Sequence, residues 1–291
     1  MAGDYLFLTP SDLAEACRLL KDRAGHTLPI AGGTRLVTEW RLGGTPPSFV
    51  LDLADAGDLR YRYRGSKRFH LGPLIELSDL AGWPELASDA RALSQAAASV
   101  APLAVRNRAT LGGNVLQRPP VGDTGVVLLA LDARIRVKST KSERDLSLDR
   151  LWDDAGRSAI TPDEIAVDVA FNPADKKTDS GFVKIGSRTA VRPAPVLLAA
   201  RLTLSPSGQI SQDLRLSRQI DGGWPRRGLR AEKIAAGKRI RPDVVDEVAE
   251  AFASESCPER TPAFVHRERV VTETRALLED LISRIRVRIG A

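Results

Sequence analysis

Apolar and polar positions alternate in a way that divides the chain into a β/α first part and a second part of strands followed by helices. Short apolar runs over 28–31 and 49–53 predict two strands near the beginning. Apolar residues at 13, 17 and 20 recur at helical spacing before them and predict an amphipathic helix. This order of elements indicates β/α organisation for the first fifty residues.

The first helix is predicted to begin within residues 9–12. Thr9 can cap it, Pro10 suits its first position, and Asp12 stands where the acid of a capping box is expected. Cys17 lies on the apolar face of this helix and is therefore expected to be a core residue rather than a reactive thiol.

The middle of the chain contains further predicted elements. A strand over 68–74, a helix starting at Ser78 and an alanine-rich helix over 91–100 precede Pro102, which is expected to stop the last of them. Strict alternation over 134–138 then predicts a half-exposed strand.

The polar, turn-rich segment 172–181 is predicted to be a domain boundary. The elements predicted beyond it are strands over 181–185 and 196–204 and helices over 229–236, 243–253 and 270–287. We therefore expect an α+β protein with a first domain over 1–174, divided into subdomains of about 1–55 and 56–174, and a second domain over 181–291.

Two Gly-Gly segments, each after an apolar lead-in and each with a threonine, are candidate anion sites. They are Ala31-Gly32-Gly33-Thr34 and Thr110-Leu111-Gly112-Gly113-Asn114. Glycine lets backbone N–H groups approach an anion closely, and successive N–H groups form a concave nest for phosphate oxygens. One such segment would indicate only a tight turn, whereas two nests suit a diphosphate.

The composition argues against a disulfide-bonded, a metal-binding and a membrane-spanning protein. Among 291 residues there are only two cysteines, Cys17 and Cys257, which predicts a reducing, cytoplasmic location without disulfides. An iron–sulfur cluster normally takes four thiolates, so the chain is expected to hold none, and its three scattered histidines predict no metal site. No apolar stretch of membrane-spanning length and no signal peptide are predicted.

A net charge of +6 leaves nucleic-acid binding as an alternative function, but the basic residues are spread along the chain and aromatic residues make up only 5% of it. Nucleic-acid surfaces combine a basic stripe with stacking aromatic rings. We therefore expect no nucleic-acid partner.

Several segments together resemble the FAD-binding medium subunit of the molybdenum hydroxylases, the family of xanthine dehydrogenase and aerobic carbon monoxide dehydrogenase. The segments that carry the resemblance are residues 29–34, residues 105–114, Asp123, residues 182–188 and residues 229–232. Their order and spacing cover nearly the whole chain. The string Arg-Asn-x-x-Thr-x-Gly-Gly-Asn within 105–114 is the most specific of them.

The resemblance implies an FAD-binding domain of the vanillyl-alcohol oxidase type, followed by a C-terminal α+β domain like that of carbon monoxide dehydrogenase flavoproteins, which closes over the flavin. It also implies a large partner subunit with the molybdenum cofactor and a small one with two [2Fe-2S] clusters, in a heterotrimer or a dimer of heterotrimers. The medium subunit of this oxidoreductase would pass electrons from the clusters to an acceptor. The acceptor stays open among NAD, quinone, oxygen and a carrier protein, and the substrate is decided by the large subunit.

The resemblance further assigns FAD-binding roles to residues of both glycine motifs and to a few residues outside them. These are Pro29, Ile30, Ala31, Gly32, Gly33, Thr34 and Arg35 in the first motif, Ala109, Thr110, Gly112, Gly113 and Asn114 in the second, and Ala101, Asp123, Ile165 and Lys184 elsewhere. The first motif is expected to wrap the diphosphate and the second to lie nearer the flavin ring. No general acid or base is expected, because electron delivery from a cluster needs none.

Individual roles are implied by the same resemblance. Asp123 is expected to accept hydrogen bonds from ribityl or ribose hydroxyls, and the backbone near Ile165 to contact the flavin edge. Lys184 is expected beside the isoalloxazine, where a cation favours the reduced, anionic flavin. For Arg106 and Arg108 we expect a structural salt bridge or a contact with a partner subunit.

Two departures from the family pattern bear on function. In the loop 190–195, Pro193 and Pro195 replace a side chain expected next to the flavin, which bears on access to the ring and on the acceptor. This loop keeps an alternative open, in which the same fold is a scaffold subunit without working flavin. The segment 117–120 has no cysteine for the extra cluster that some relatives hold there.

Overall fold

Three β-sheets with helices packed on and between them form the described part of the protein. A computed structural model describes residues 5–56, 59–118, 122–153, 155–186, 194–257 and 267–291. The combination of one parallel sheet and two antiparallel sheets with eleven α-helices and a short 3-10 helix (Leu148–Arg150) in these ranges confirms the α+β class.

The first sheet is parallel, with strand order β1–β3–β2. Its strands are β1 (Leu6–Leu8), β2 (Thr27–Ile30) and β3 (Phe49–Asp52), and its helices are α1 (Leu13–Asp22) and α2 (Leu36–Arg41). Helix α1 packs Ala16, Cys17 and Leu20 against Leu51 of the central strand. The two predicted strands and the core position of Cys17 are confirmed.

Helix α1 begins at Leu13, and the predicted start within 9–12 was wrong. Asp12 is the N-cap, and its Oδ1 accepts from the Glu15 amide at 2.7 Å. Glu15 in turn accepts from the Ser11 amide and hydroxyl, each at 2.7 Å. Asp12 is therefore the cap itself, and Glu15 takes the place of the capping-box acid that was expected at Asp12.

The second sheet is antiparallel, with strand order β4–β5–β8–β6–β7. Its strands are β4 (Arg62–Arg64), β5 (Phe69–Leu71), β6 (Arg134–Lys138), β7 (Glu143–Ser147) and β8 (Ile165–Phe171). The helices in this part are α3 (Leu77–Ala81), α4 (Pro84–Asp89), α5 (Arg91–Ser99), α6 (Leu103–Arg106), α7 (Leu111–Leu116) and α8 (Asp123–Ala130).

The predictions of β6 and α5 are confirmed. The bounds predicted for the strand and the helix before α5 differ from those in the structure. The strand expected over 68–74 is confined to β5, and the helix expected from Ser78 begins at Leu77. Pro102 does separate α5 from the next helix, but it is also the N-cap of that helix, α6.

The third sheet is antiparallel, with strand order β12–β11–β10–β9. Its strands are β9 (Thr178–Ile185), β10 (Val196–Leu204), β11 (Ser211–Ile220) and β12 (Arg226–Arg227). Three helices come after them in the chain: α9 (Leu229–Ala235), α10 (Pro242–Ser256) and α11 (Arg267–Ile289). Strands β9 and β10 and all three helices were predicted, although β9 already begins inside the segment 172–181.

Helices α5 and α8 form a layer that the second and third sheets share. Leu197 and Ala199 of β10 lie in the same hydrophobic core as both helices. The Ala92 amide of α5 donates to Ser180 Oγ of β9 at 3.2 Å, and Ser217 Oγ of β11 donates to the Val126 carbonyl of α8 at 2.6 Å. The predicted division into two domains stays a prediction, and this layer would be the contact between them.

Within the described ranges, no helix combines the length and the apolar character that crossing a membrane requires.

The burial of Cys17 leads to a prediction about thiol reactivity. Cys17 is 1% exposed, and burial raises the pKa of its thiol, so little thiolate forms at neutral pH. We expect Cys17 to react with a thiol reagent only as fast as the chain unfolds, measured by mass spectrometry of labelled peptides. A Cys257→Ser variant isolates Cys17 for this measurement. Fast labelling of Cys17 in the native protein would contradict its core position.

Candidate functional site

The two glycine motifs lie directly against each other. A Cβ atom at Gly32 would stand 1.7 Å from the carbonyl oxygen of Arg108, which is a backbone atom and cannot move aside cheaply. Arg108 immediately precedes Ala109 and Thr110 of the second motif. Only glycine allows this approach, so the contact holds the end of β2 against the segment that leads into α7.

The first motif offers backbone donors to a ligand. It connects β2 to α2, and Gly33 has a φ of +69°, a conformation that favours glycine. The amides of Ala31, Gly32, Gly33 and Thr34 donate to no acceptor within the described ranges. A run of such amides at a strand end is suited to an anionic group, as the sequence predicts.

The second motif does not form an open nest of amides, and in this respect the prediction was wrong. The Gly112 amide donates to the Pro73 carbonyl at 2.8 Å, and the Gly113 amide to Thr110 Oγ1 at 3.2 Å. The Asn114 amide donates to the Thr110 carbonyl at 2.9 Å. Thr110 is thus the N-cap of α7, and the two glycines lie in the first turn of that helix.

Asn114 has a fixed orientation that leaves its side-chain donors available. Its Oδ1 accepts from the Thr124 hydroxyl at 2.6 Å and from the Thr124 amide at 3.1 Å. Its Nδ2 has no acceptor in the ranges that the structure describes. Gly122 packs on the same residue, since a Cβ there would lie 2.1 Å from the Asn114 carbonyl oxygen. Asn114 is therefore the polar group through which the second motif can contact a ligand.

A buried carboxylate joins three elements next to these motifs. Asp123, at the start of α8, is 5% exposed, and its Oδ2 accepts from Ser99 Oγ at 2.7 Å and from Lys184 Nζ at 2.5 Å. The Lys184 ammonium also donates to the Ser99 carbonyl at 3.1 Å. The structure thus brings together two predicted site residues and adds Ser99, which nothing in the sequence distinguishes from other serines at helix ends.

Ala101 and Arg106 form a second unpredicted contact. Ala101 has a φ of +42°, and one Arg106 guanidinium nitrogen donates to the carbonyls of Val100 at 3.1 Å and Ala101 at 2.5 Å. The acceptors of Arg106 in the described chain are backbone carbonyls, and it forms no salt bridge there. The other contact expected for Arg106 and Arg108, with a partner subunit, stays a prediction.

The side chains of two other predicted site residues, Arg35 and Ile165, contact other side chains of the protein. Arg35 forms an ion pair with Glu39 at 2.6 Å and donates to Gln117 Oε1 at 3.4 Å, so its side chain contacts the residue that follows α7. Ile165 begins β8 and is buried in the core that includes Leu74. The contacts predicted for the backbone of these residues stay predictions.

Some of the residues singled out in the sequence lie outside the described ranges. They are Pro119 and Pro120, Ser187 and Arg188 at the end of the 182–188 motif, the loop residues 190–193, and His266. Pro195 is described, and its carbonyl accepts from the Asp221 amide at 2.7 Å.

Residues 3–172 match the model of a family described as the FAD binding domain in molybdopterin dehydrogenase. The chain belongs to this family. The family resemblance inferred from the glycine motifs is thereby confirmed, and so is FAD as the cofactor of the domain. The chain is an FAD-binding component of a dehydrogenase, that is, of an oxidoreductase.

Two relatives illustrate the range of similarity. The nicotinate dehydrogenase FAD-subunit of Eubacterium barkeri is 31% identical over 192 residues, 65% of this chain and 65% of that subunit, just under two thirds of its length. The nicotine 6-hydroxylase medium subunit of Paenarthrobacter nicotinovorans is 24% identical over 98% of this chain and 97% of that subunit.

Among solved structures, a chain of the carbon monoxide dehydrogenase from Hydrogenophaga pseudoflava superimposes with a TM-score of 0.86. The match covers 99% of both chains at 19% identity. At this identity the likeness concerns the fold, which it supports over the full length.

The Gly32 contact predicts a large effect of a single methyl group. Gly32→Ala places a Cβ atom 1.7 Å from the Arg108 carbonyl oxygen, a severe steric clash, so the two motifs must separate. We expect the variant to lose most of its bound FAD, measured by flavin absorbance after purification. Gly82→Ala is the matched control, because its Cβ would meet only the Ser78 carbonyl at 3.5 Å, an ordinary contact. Full FAD content in Gly32→Ala would show that the contact is not needed for binding.

The Asp123–Lys184 pair predicts a coupled effect on stability. Lys184→Met leaves a buried carboxylate with Ser99 as its main partner, and since the lysine side chain is about a third exposed we expect a loss of about 1–3 kcal/mol in the free energy of unfolding. Asp123→Asn combined with Lys184→Met should cost less than the sum of the single changes. Urea denaturation of the FAD-free chain measures both.

The exposed pair Lys238–Glu247 provides the control for this measurement. Lys238→Met should change the free energy of unfolding by no more than about 0.5 kcal/mol. Equal losses for Lys184→Met and Lys238→Met would contradict a stabilising role for the buried pair.

Proposed function

We propose that the chain is the FAD-binding electron-transfer subunit of a multi-subunit molybdenum hydroxylase. In this proposal it takes electrons from [2Fe-2S] clusters of a small partner subunit and passes them to an external acceptor. A large partner subunit holds the molybdenum cofactor and binds the substrate. The observation that carries the proposal is the run of amides at 31–34 that lack an acceptor in the described ranges, held against the second motif by the Gly32 contact.

The residues present fit FAD. The amides of 31–34 would bind the negatively charged diphosphate, since successive N–H groups supply donors without a side chain in the way. Asn114 Nδ2 would donate to the same ligand from the second motif. When bound, FAD supplies a redox centre that accepts and releases electrons singly or in pairs.

Asp123 and Lys184 would act together at the ribityl and ring end of the site. The ammonium is held at Asp123 Oδ2 and at the Ser99 carbonyl, so its position is fixed before a ligand arrives. Its charge is compensated by the carboxylate. In this arrangement Asp123 orients Lys184 and retains lone pairs for hydroxyl groups of the ligand.

The partner subunits are inferred from family membership and from the chain's own chemistry. With Cys17 buried in the core and Cys257 at the end of α10, the chain lacks the set of thiolates that a [2Fe-2S] cluster requires. The clusters would therefore reside on another subunit, as in a heterotrimer or a dimer of heterotrimers, and we propose a cytoplasmic complex.

The test is an absorbance spectrum of the complex purified through a tag on this chain. We expect flavin bands together with iron–sulfur absorbance, and bleaching of both when a substrate is added. The first substrates to try are nicotinate, nicotine and carbon monoxide, the compounds that the names of the similar proteins indicate. Dithionite serves as a reductant that needs no substrate.

FAD removal separates electron transfer from scaffolding. A complex stripped of FAD should still show cluster reduction but lose reduction of an artificial acceptor, and added FAD should restore it. Iron–sulfur absorbance without flavin in the purified complex would instead favour the scaffold alternative. A colourless chain that purifies alone would overturn the proposed partners.

A further inference from the structure

Ala101 adopts a backbone conformation that alanine rarely takes. Its φ of +42° is one of three positive values among the non-glycine residues that the structure describes. The other two belong to Asp132 and Asp221, and aspartate tolerates this region better because its side chain can hydrogen-bond locally. Alanine has no such side chain, so contacts from elsewhere must hold the turn.

Arg106 supplies those contacts. Helix α6 starts directly after the turn, and the Pro102 carbonyl accepts from the Val105 and Arg106 amides at 2.9 and 3.2 Å. This single helical turn brings the Arg106 guanidinium back over the residues before it. One guanidinium nitrogen then donates to the Val100 and Ala101 carbonyls together. Hydrogen bonds from a charged donor are the stronger kind.

The segment is also held from its other side. The Ser99 carbonyl accepts from the Lys184 ammonium, and the Ser99 hydroxyl donates to Asp123. Three consecutive carbonyls, those of residues 99–101, therefore each accept from a cation. Lys184 holds the first and Arg106 holds the other two.

The two cations differ in charge compensation. The Lys184 ammonium contacts the Asp123 carboxylate at 2.5 Å, whereas Arg106 contacts no carboxylate in the described part of the chain. Arg106 Nε is buried and has no hydrogen-bond partner there. The uncompensated positive charge next to the Ala101 turn is therefore that of Arg106.

We propose that Arg106 is a positioning residue of the flavin site, which holds the Ala101 turn in its left-handed conformation before FAD binds. The inference rests on the proposed function in one respect, namely that the exposed Ala101 turn faces the flavin. It adds a residue that acts through the backbone conformation of the turn and needs no contact with FAD itself.

A double-mutant cycle tests the proposal, with FAD affinity measured on the FAD-stripped complex by flavin fluorescence. Arg106→Ala should weaken FAD binding about tenfold or more, as expected for loss of charge-assisted hydrogen bonds. Ala101→Gly should have little effect, because glycine adopts a positive φ without strain. If Arg106 acts through the turn, the double variant should bind FAD clearly more tightly than Arg106→Ala.

Strictly additive effects in the cycle would overturn the proposal. The flavin reduction potential separates positioning from charge, since Arg106→Ala and the double variant lose the same charge. We expect the double variant to bind FAD more tightly than Arg106→Ala but to have the same flavin reduction potential as Arg106→Ala. Arg18→Ala, on the exposed side of α1, is the control for loss of one arginine and should leave both quantities unchanged.

Hydrogen exchange keeps the test independent of FAD binding. In the FAD-free chain, the amides of Val105 and Asn107 in α6 are hydrogen-bonded to the carbonyls of Pro102 and Leu103. They should exchange faster in Arg106→Ala than in the wild type, because the guanidinium joins this helical turn to the Ala101 turn. Arg106→Lys should lie in between, since it retains a cationic donor. Unchanged exchange would contradict the proposal even where FAD binds normally. A wild-type complex that binds no FAD would instead refute the proposed function and leave the exchange result to decide the role of Arg106.

Discussion

The contact between the Gly32 backbone and the Arg108 carbonyl is the constraint on which the candidate site depends. It joins the end of β2 in the first sheet to the segment before α7, whose Leu111 and Val115 lie in the same hydrophobic core as Phe69 and Ile135 of the second sheet. Van der Waals contact between backbone atoms fixes the separation of the two motifs without a hydrogen bond or an ion pair. Because the motifs are held in this way, the amides of 31–34 can remain without acceptors in the described chain and still have fixed positions.

The two Gly-Gly motifs look alike in the sequence but have different roles in the structure. The amides of the second motif are used by the protein itself, because the Pro73 and Ile75 carbonyls lie beside it and accept from Gly112 and Leu111. The segment before α3 thus decides that the second motif builds a helix start. Glycine at 112 is required by packing, since a Cβ there would lie 2.8 Å from Pro73 Cβ. The first motif has no such acceptor among the described residues, and its amides stay available.

Much of the fold could be predicted where periodicity or turn signals were strong. The alternation over 134–138 indicated β6, and apolar spacing indicated the long helix α11. Helix α8 could not be predicted in the same way, since all of its residues are buried and a uniform apolar run has no period to separate helix from strand. The start of α1 was misplaced because Thr9, Ser11 and Asp12 are all residues that can cap a helix.

Within the candidate site, contacts in which a side chain binds a backbone carbonyl escaped prediction. A carboxylate and a lysine that both belong to a family motif can be paired by analogy, and Asp123 and Lys184 do meet. Carbonyl groups, by contrast, are present at every residue, so the sequence holds no sign that Arg106 would take those of Val100 and Ala101 as acceptors. Left-handed alanine is equally hard to foresee, because the residue type argues against the conformation. The sequence shows neither the strained backbone of Ala101 nor the lack of a carboxylate partner for Arg106 among the described residues. The two features are related through the fold, because the turn of α6 brings the Arg106 guanidinium to the carbonyls of the strained segment.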